Sequence, residues 1–274
     1  MVGYVKKGFG TALRQPFALL VLFLYQFVWG FALYRYVSSV VVPLMQRYPG
    51  GAHSDMAALL FLAEGQFRLA KTDLIQPYLL TLLGLFLARM AMTPILNAGV
   101  YFSLHHTEYN AGYRFVQGIR CLSGPFLIYY ALRILLTLAP LYWLIPLARN
   151  VYLTATGYDQ IALRLLPYAA AYLVYGYLVH LCFTYVQLAK TTDGKPLKSM
   201  PFLIRRSLRI AAVALAMVVV SGLVTFIAVA ASLIWAGFLA LVLYQFYRFA
   251  HAFCQIWTLS AHYQVWWSGD VRRQ

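Results

Sequence analysis

Long apolar stretches alternate with short polar segments along most of the chain. Six of these stretches are about 20 residues or longer, which is enough for a helix to cross the ~30 Å hydrocarbon layer of a membrane. The predicted spans are Pro16–Tyr36, Leu74–Leu104, Leu122–Leu147, Leu165–Leu188, Arg209–Ala230 and Trp235–Tyr263. The pattern therefore predicts an all-α, polytopic transmembrane helix bundle, with residues 1–274 forming a single integral membrane domain.

The apolar stretches do not have the period of a transmembrane β-barrel. Barrel strands are segments of about 10 residues in which apolar and polar positions alternate, whereas Ile210–Leu243 carries no charge and is apolar at nearly every position. The composition agrees with helices in lipid. Hydrophobic residues make up 62% of the chain and charged residues 11%, against about 25% charged residues in a typical soluble domain.

Shorter helical segments are predicted between the spans. Asp55–Lys71 has apolar residues at helical spacing but is too short and too polar for a span, so we expect an interfacial or re-entrant helix. Gly112–Arg120 and Pro201–Arg209 each lead from basic residues into the next span, and they predict short amphipathic interfacial helices. The turn between the last two predicted spans lies near Ser232–Gly237 and has no charged residue.

Positive charge is distributed unevenly between the two sides of this topology. Thirteen Lys and Arg residues lie in the N-terminal segment, the second and fourth connections and the C-terminal tail, whereas six lie on the opposite side. The positive-inside rule places the richer side in the cytoplasm, so both termini are predicted to be cytoplasmic. The net charge of +15 then reflects loops that face an anionic leaflet, and no nucleic-acid partner is expected.

The acidic residues all lie outside the predicted spans. They are Asp55, Glu64, Asp73, Glu108, Asp159, Asp193 and Asp270. Proton-coupled carriers, cation channels and metal-dependent intramembrane enzymes usually hold carboxylates within the membrane. The chain also lacks the HExxH, P-loop and GxSxG motifs. We therefore expect no catalytic residue, no metal site and no cofactor.

Three arginines, Arg89, Arg133 and Arg248, lie near the middle of predicted spans. A mid-bilayer arginine costs at least ~2.5–3.5 kcal/mol on insertion scales, so each should face the bundle or a wet cavity. One interpretation is an anion or lipid-binding site, because the guanidinium fork matches phosphate oxygens. The alternative is structural: these side chains extend towards the interface, or they bond backbone carbonyls freed near Pro94 and Pro140.

A second candidate site is a basic surface on the cytoplasmic side. Its residues flank the third and fifth predicted spans and could couple to a soluble partner. They are Arg114, Arg120, Lys198, Arg205, Arg206 and Arg209.

Three segments carry a resemblance to a known group of proteins. They are TPILNAGVYFSLHH (from Thr93), FVQGIRCLSGPF (from Phe115) and LKSMPFLIRRSLRIAAVALA (from Leu197). With these segments the chain resembles poorly characterised bacterial six-span membrane families related to the membrane domain of some glycerophosphodiester phosphodiesterases. The shared features are Pro followed by Gly in the second span, a Phe-x-x-Gly cytoplasmic helix and a basic segment before the fifth span. The resemblance implies a multi-pass protein of the bacterial plasma (inner) membrane and supplies no catalytic residue.

These features predict a non-enzymatic membrane protein that acts as a scaffold or partner subunit of a membrane complex. One alternative is the permease subunit of an ATP-driven transporter, coupled to its ATPase through the basic surface. Another is an anionic-lipid-handling protein or flippase that uses the buried arginines. The expected partners are accordingly the lipid bilayer, a membrane protein or ATPase, and an anionic lipid.

Overall fold

A computed structural model of the chain describes residues 2–47, 65, 76–155, 157–192, 199–234 and 238–270. All regular structure in this part of the chain is helical. The helices are α1 (Val2–Leu13), α2 (Pro16–Arg47), α3 (Gln76–His105), α4 (Ala111–Leu138), α5 (Leu141–Thr154), α6 (Tyr158–Thr192), α7 (Ser199–Arg205), α8 (Ser207–Ile234) and α9 (Phe238–Asp270). The all-α fold predicted from the apolar pattern is confirmed.

Five ranges of the described helices are long and apolar enough to cross a membrane. They are Pro16–Pro43, Gln76–His105, Ala111–Thr154, Asp159–Thr192 and Ser207–Ala231. Each range overlaps one of the first five predicted spans, and together they support a multi-pass membrane protein.

The last predicted span, Trp235–Tyr263, does not belong to these five ranges. Most of it is covered by α9, which has 33 residues. Polar side chains such as Gln245, Arg248 and His251 lower the mean hydropathy of this helix. A sixth crossing therefore stays a prediction, as do the topology and the single domain. The turn predicted near Ser232–Gly237 lies partly outside the described residues.

The interfacial helix predicted over Asp55–Lys71 lies outside the described residues, apart from Gly65. The other two predicted surface segments are described in different forms. Gly112–Arg120 forms the first turns of α4 without a break before the span. Pro201–Arg209 includes most of the short helix α7 and the start of α8.

The third predicted span, Leu122–Leu147, lies within the candidate range Ala111–Thr154, and its helix is interrupted near the far end. The structure ends α4 at Leu138 and begins α5 at Leu141, with Pro140 as the N-terminal cap. At about 1.5 Å per residue, the 44 residues of Ala111–Thr154 would form a straight rod of about 66 Å. Such a rod is more than twice the ~30 Å hydrocarbon thickness, so the break divides a segment too long for one upright crossing.

Contacts between helices divide the chain into two compact units. Unit 1 contains Met1–Leu20 and Pro94–Gln274, and unit 2 contains Val21–Thr93. In unit 1, α9 packs along α1 and α8, while α6 contacts α4, α5, α7 and α9.

The core of unit 1 lies at one end of its helices. Five of its buried side chains are Tyr101, Phe126, Tyr185, Met217 and Trp266. They come from the last turns of α3 and α6, the middle of α4, the first half of α8 and the C-terminal half of α9. We call the region around these five residues the packed end.

Away from the packed end, the same helices carry exposed apolar side chains. Leu135 on α4 is 66% exposed, Leu173 on α6 is 70% exposed and Phe226 on α8 is 71% exposed. In the most apolar 18-residue stretch of each candidate span, at most 22% of the residues are buried inside the structure, and none is buried in that stretch of Ala111–Thr154. Most of the apolar surface of these stretches is therefore not covered by the described part of the chain.

Tyrosine hydroxyls join the two helical segments of unit 2. Tyr36 on α2 donates a 2.9 Å hydrogen bond to the carbonyl oxygen of Tyr78 on α3. Tyr25 donates a 3.5 Å bond to the carbonyl of Arg89, and its hydroxyl lies 3.4 Å from the Thr93 Oγ1. Tyr25 thus pairs with Arg89, and the later residue Tyr36 pairs with the earlier residue Tyr78. The two segments are therefore antiparallel.

Candidate functional site

Arg89 is exposed on α3 in unit 2. Its guanidinium carbon lies 5.6 Å from the centre of the Trp29 ring on α2, a distance at which a cation is attracted to the negative face of the ring. Among the described residues, its side chain makes no hydrogen bond and no acidic side chain touches it. One face of the guanidinium is thus occupied by an aromatic ring, and its charge is not balanced within the described part of the chain.

Arg133 is half-buried on α4 in unit 1. Its guanidinium is close enough for electrostatic interaction with Tyr101 of α3, with Tyr130 one turn away and with His180 of α6. Tyr101 is 6% exposed, so this group lies at the edge of the packed end. The position is polar, but its described neighbours provide no carboxylate.

Arg248 is half-buried on α9 and interacts with a neighbour one turn away. Its Nη2 donates a 2.8 Å hydrogen bond to the Tyr244 hydroxyl, and its guanidinium lies 4.7 Å from the centre of the same ring. The contacts described for Arg133 and Arg248 involve different residues, and Arg89 belongs to the other unit. An anion or lipid-binding site at these arginines stays a prediction.

Arg114, predicted as part of the basic coupling surface, lies in the interior. It is 6% exposed, and its Nη2 donates bonds of 3.0 Å to the Gln15 Oε1 and 3.3 Å to the carbonyl of Arg14. Gln15 in turn donates a 2.9 Å bond to the Ser103 carbonyl, and the Ser103 hydroxyl donates a 2.6 Å bond to the Gln15 Oε1. Arg114 is thus a structural link between α3, α4 and the α1–α2 junction, and it is not accessible to a partner.

The other described members of the basic surface are accessible to different degrees. Arg120, Arg205 and Arg209 are exposed. Arg206 is half-buried, with its guanidinium 5.3 Å from the centre of the Phe202 ring. Lys198 lies outside the described residues. Among these three exposed arginines, Arg205 and Arg209 lie closest together in sequence, where α7 gives way to α8.

Two histidines in the packed end bond to tyrosines. His262 is 2% exposed, and its Nδ1 lies 3.0 Å from the hydroxyl of the buried Tyr185. His105 lies at the end of α3, with its Nδ1 3.2 Å from the Tyr263 hydroxyl. These pairs join residues 77 and 158 positions apart, so no local sequence pattern could have identified them.

The break between α4 and α5 exposes two backbone carbonyls that α6 satisfies. In a continuous helix, the carbonyl of Leu136 would accept from the N–H of residue 140, but proline has no N–H. The Tyr175 hydroxyl instead donates a 2.9 Å bond to this carbonyl, and the Tyr172 hydroxyl donates a 3.1 Å bond to the carbonyl of Thr137. Lipid could not provide these donors, so the two tyrosines stabilise the break.

A cavity of about 620 Å³ opens beside this break. Its lining is mostly apolar and aromatic and includes Pro140, Trp143, Tyr172 and Tyr175. The hydroxyls of the two tyrosines are already bonded to backbone carbonyls. These hydrogen bonds orient the two rings, and the lining of the cavity therefore has few free polar groups.

Replacing Tyr175 with Phe tests the proposed role of its hydroxyl at Pro140. We expect Tyr175→Phe to destabilise the protein by about 1 kcal/mol, because the Leu136 carbonyl loses its donor. In a Pro140→Ala background the new N–H can bond this carbonyl, so the same change should cost clearly less. Thermal unfolding in detergent measures both, with Tyr168→Phe in the cavity wall as the matched control. Equal losses in the two backgrounds would contradict this role.

Metal binding has no support in the described residues. In that part of the chain, no group of three His, Cys, Asp or Glu side chains could hold a metal ion.

Comparison with known proteins identifies no relative. No family model matches the chain, and neither a curated protein nor a solved structure matches it. The resemblance to the membrane domain of glycerophosphodiester phosphodiesterases therefore stays a prediction, and the function of the chain has to be inferred mainly from its own geometry.

Proposed function

We propose that this chain is a non-catalytic, multi-pass membrane protein that acts as a scaffold or partner subunit of a membrane complex. The observation that carries the proposal is the small share of buried residues in the most apolar 18-residue stretch of each candidate span, which lies between none and 22%. Spans that bury so little against their own chain leave wide faces for lipid or for other helices.

Polar groups on these faces favour a protein partner over lipid. Arg89 and His180 are both exposed on helices that form candidate spans. Lipid tails cannot satisfy such groups, and polar side chains within membranes usually face another helix or a wet cavity. A neighbouring subunit supplies that environment.

Native mass spectrometry of the protein, extracted from its own membrane in mild detergent, tests this function. We expect a complex heavier than the 31.1 kDa chain that contains a second membrane protein in fixed stoichiometry. Crosslinking before extraction provides the control against association in detergent. A particle with the mass of one chain plus lipid would contradict the partner-subunit proposal, as would simple multiples of the chain mass.

The same measurement separates the two alternative functions. The permease subunit of an ATP-driven transporter would retain an ATPase, and the exposure of Arg120, Arg205 and Arg209 supports a contact at the basic surface. A lipid-handling protein would instead retain anionic lipid without a protein partner. In its favour, Ile204 is 80% exposed and Leu208 is 83% exposed beside these arginines, a combination suited to acyl chains and anionic headgroups.

We place the complex in a bacterial plasma membrane, with the basic surface facing the cytoplasm. The charge asymmetry of the loops supports this orientation, and the family resemblance supports the compartment.

A further inference from the structure

Arg89 lies too deep in its helix to reach the membrane surface. It stands thirteen positions after Gln76 and sixteen before His105, the ends of α3, which places it about 20 Å and 24 Å from the two ends along the axis. A helix of 30 residues is about 45 Å long and extends about 7 Å beyond each face of a ~30 Å core when centred upright. The Arg89 backbone then lies about 12 Å inside the core, farther than its side chain extends.

The guanidinium of Arg89 lies over an aromatic ring, and its N–H donors are available. Trp29 covers one face, and the Arg89 backbone carbonyl accepts from Thr93 Oγ1 at 2.7 Å. An arginine side chain has five N–H donors at its edge, and none of them is bonded to a described residue. The side chain is exposed, so these donors are available to a molecule packed against α3.

The charge that complements Arg89 must come from a group at the same depth. The ranges Pro16–Pro43 and Gln76–His105 contain no Asp or Glu, so the same ranges of a second copy could not supply it. Asp55, Glu64 and Asp73, which lie between these ranges, are outside the described residues. The phosphate of a bilayer lipid lies at the surface, beyond the reach of the Arg89 side chain. A carboxylate on a transmembrane helix of a different protein satisfies both the depth and the charge.

We propose that Arg89 binds an Asp or Glu side chain near the middle of a partner subunit's transmembrane helix. The inference rests on the proposed partner-subunit function and names the chemistry of its contact. Arginine is suited to this role because its fork can donate two parallel hydrogen bonds to one carboxylate. The pair would neutralise a charge that is otherwise unfavourable at this depth.

A binding assay with designed transmembrane peptides tests the proposal directly. The full chain, carrying a fluorescent donor on an N-terminal tag, is reconstituted in phosphatidylcholine vesicles, which contain no anionic lipid. The acceptor-labelled probes are helices of about 20 Leu and Ala residues with a single central Glu or a single central Gln. We expect the Glu peptide to bind about five- to thirty-fold more tightly, the range of polar contacts between helices in model peptides.

Variants at Arg89 separate this contact from general effects on folding. Arg89→Gln should abolish the preference for Glu over Gln, whereas Arg164→Gln, a control at an exposed arginine of α6, should leave it unchanged. Arg89→Glu should instead bind a Lys-centred peptide more tightly than a Glu-centred one, a gain that a misfolded protein could not show.

The proposal is overturned if the wild-type chain binds the Glu and Gln peptides equally, or if the preference survives Arg89→Gln. If native mass spectrometry still finds a second membrane protein, either result contradicts the Arg89 contact but not the partner-subunit function. If the chain binds the Glu peptide but purifies without any protein partner, the Arg89 contact is supported and the proposed function is contradicted.

Discussion

Gly118→Ala is expected to destabilise the protein, although alanine is the better helix former. A β-carbon at position 118 on α4 would lie 2.5 Å from the Cβ of Phe102 and 3.0 Å from the carbonyl oxygen of Ala98, both on α3. These atoms belong to the backbone or are attached directly to it, so the helices must separate. Overpacking of this kind costs about 1–3 kcal/mol, which exceeds the gain of about 1 kcal/mol in helix propensity.

Thermal unfolding followed by size-exclusion chromatography in detergent measures this effect. We expect the Tm of Gly118→Ala to fall by about 2–8 °C. Gly124→Ala on the same helix is the matched control, since a β-carbon there would meet nothing within 4 Å, and it should keep or slightly raise the Tm. Equal Tm values for the two variants would show that α3 and α4 do not approach as closely as described.

Gln15→Leu is expected to destabilise the protein more strongly than Gly118→Ala. Gln15 is 2% exposed, and its side chain bonds both to Arg114 and to Ser103. Leucine would leave the Arg114 guanidinium buried, with the carbonyl of Arg14 at 3.3 Å as its remaining described acceptor. Removing one partner of a buried charge costs several kcal/mol, so we expect a loss of about 2–4 kcal/mol.

A double variant identifies the cause of this loss. Gln15→Leu combined with Arg114→Leu removes the buried charge together with its acceptor, and it should be more stable than Gln15→Leu alone. Gln117→Leu provides the control, because Gln117 is half-buried and has a 3.5 Å contact with the Cys121 sulfur. If the double variant is less stable than Gln15→Leu, the uncompensated charge of Arg114 is not the reason.

The helices of this protein are well predicted by the sequence because hydropathy and length act locally. An apolar run such as Gln76–His105 can be recognised without knowing what it packs against. The sixth crossing was harder to assess, since α9 mixes apolar residues with Gln245, Arg248 and His251. Whether such a helix crosses a membrane depends on the neighbours that cover its polar face, and hydropathy does not contain that information.

The interruption at Pro140 shows a second limit of the apolar pattern. Leu122–Leu147 is mostly apolar, and a proline inside such a run can either kink a helix or end it. The outcome here depends on Tyr172 and Tyr175, whose hydroxyls satisfy the carbonyls on the other side of the break. These donors lie 35 and 39 positions away, beyond the range of any local pattern.

The sequence identifies the residues of the candidate sites, but it does not predict which side chains surround them. Arg114 stands among basic residues in an amphipathic segment, which favours an exposed position, yet its acceptor Gln15 is 99 positions away and holds it in the interior. Arg89 was identified as an unusual cation because its depth follows from span length alone. Its Trp29 neighbour depends on the pairing of α2 with α3, which only the fold defines.

Burial confined to one end of unit 1 affects how the bundle responds to the surrounding bilayer. The residues of α4 after Phe126 and the described residues of α6 before Leu181 are not buried. These ends of the two helices can therefore change their separation without breaking core contacts. Local opening follows regions with few buried contacts, and a mismatch in bilayer thickness is accommodated by tilting or kinking of helices. We therefore expect a change in bilayer thickness to be accommodated mainly where α4 gives way to α5, a break held to α6 by the two tyrosine hydrogen bonds, and less where α9 packs along α1 and α8.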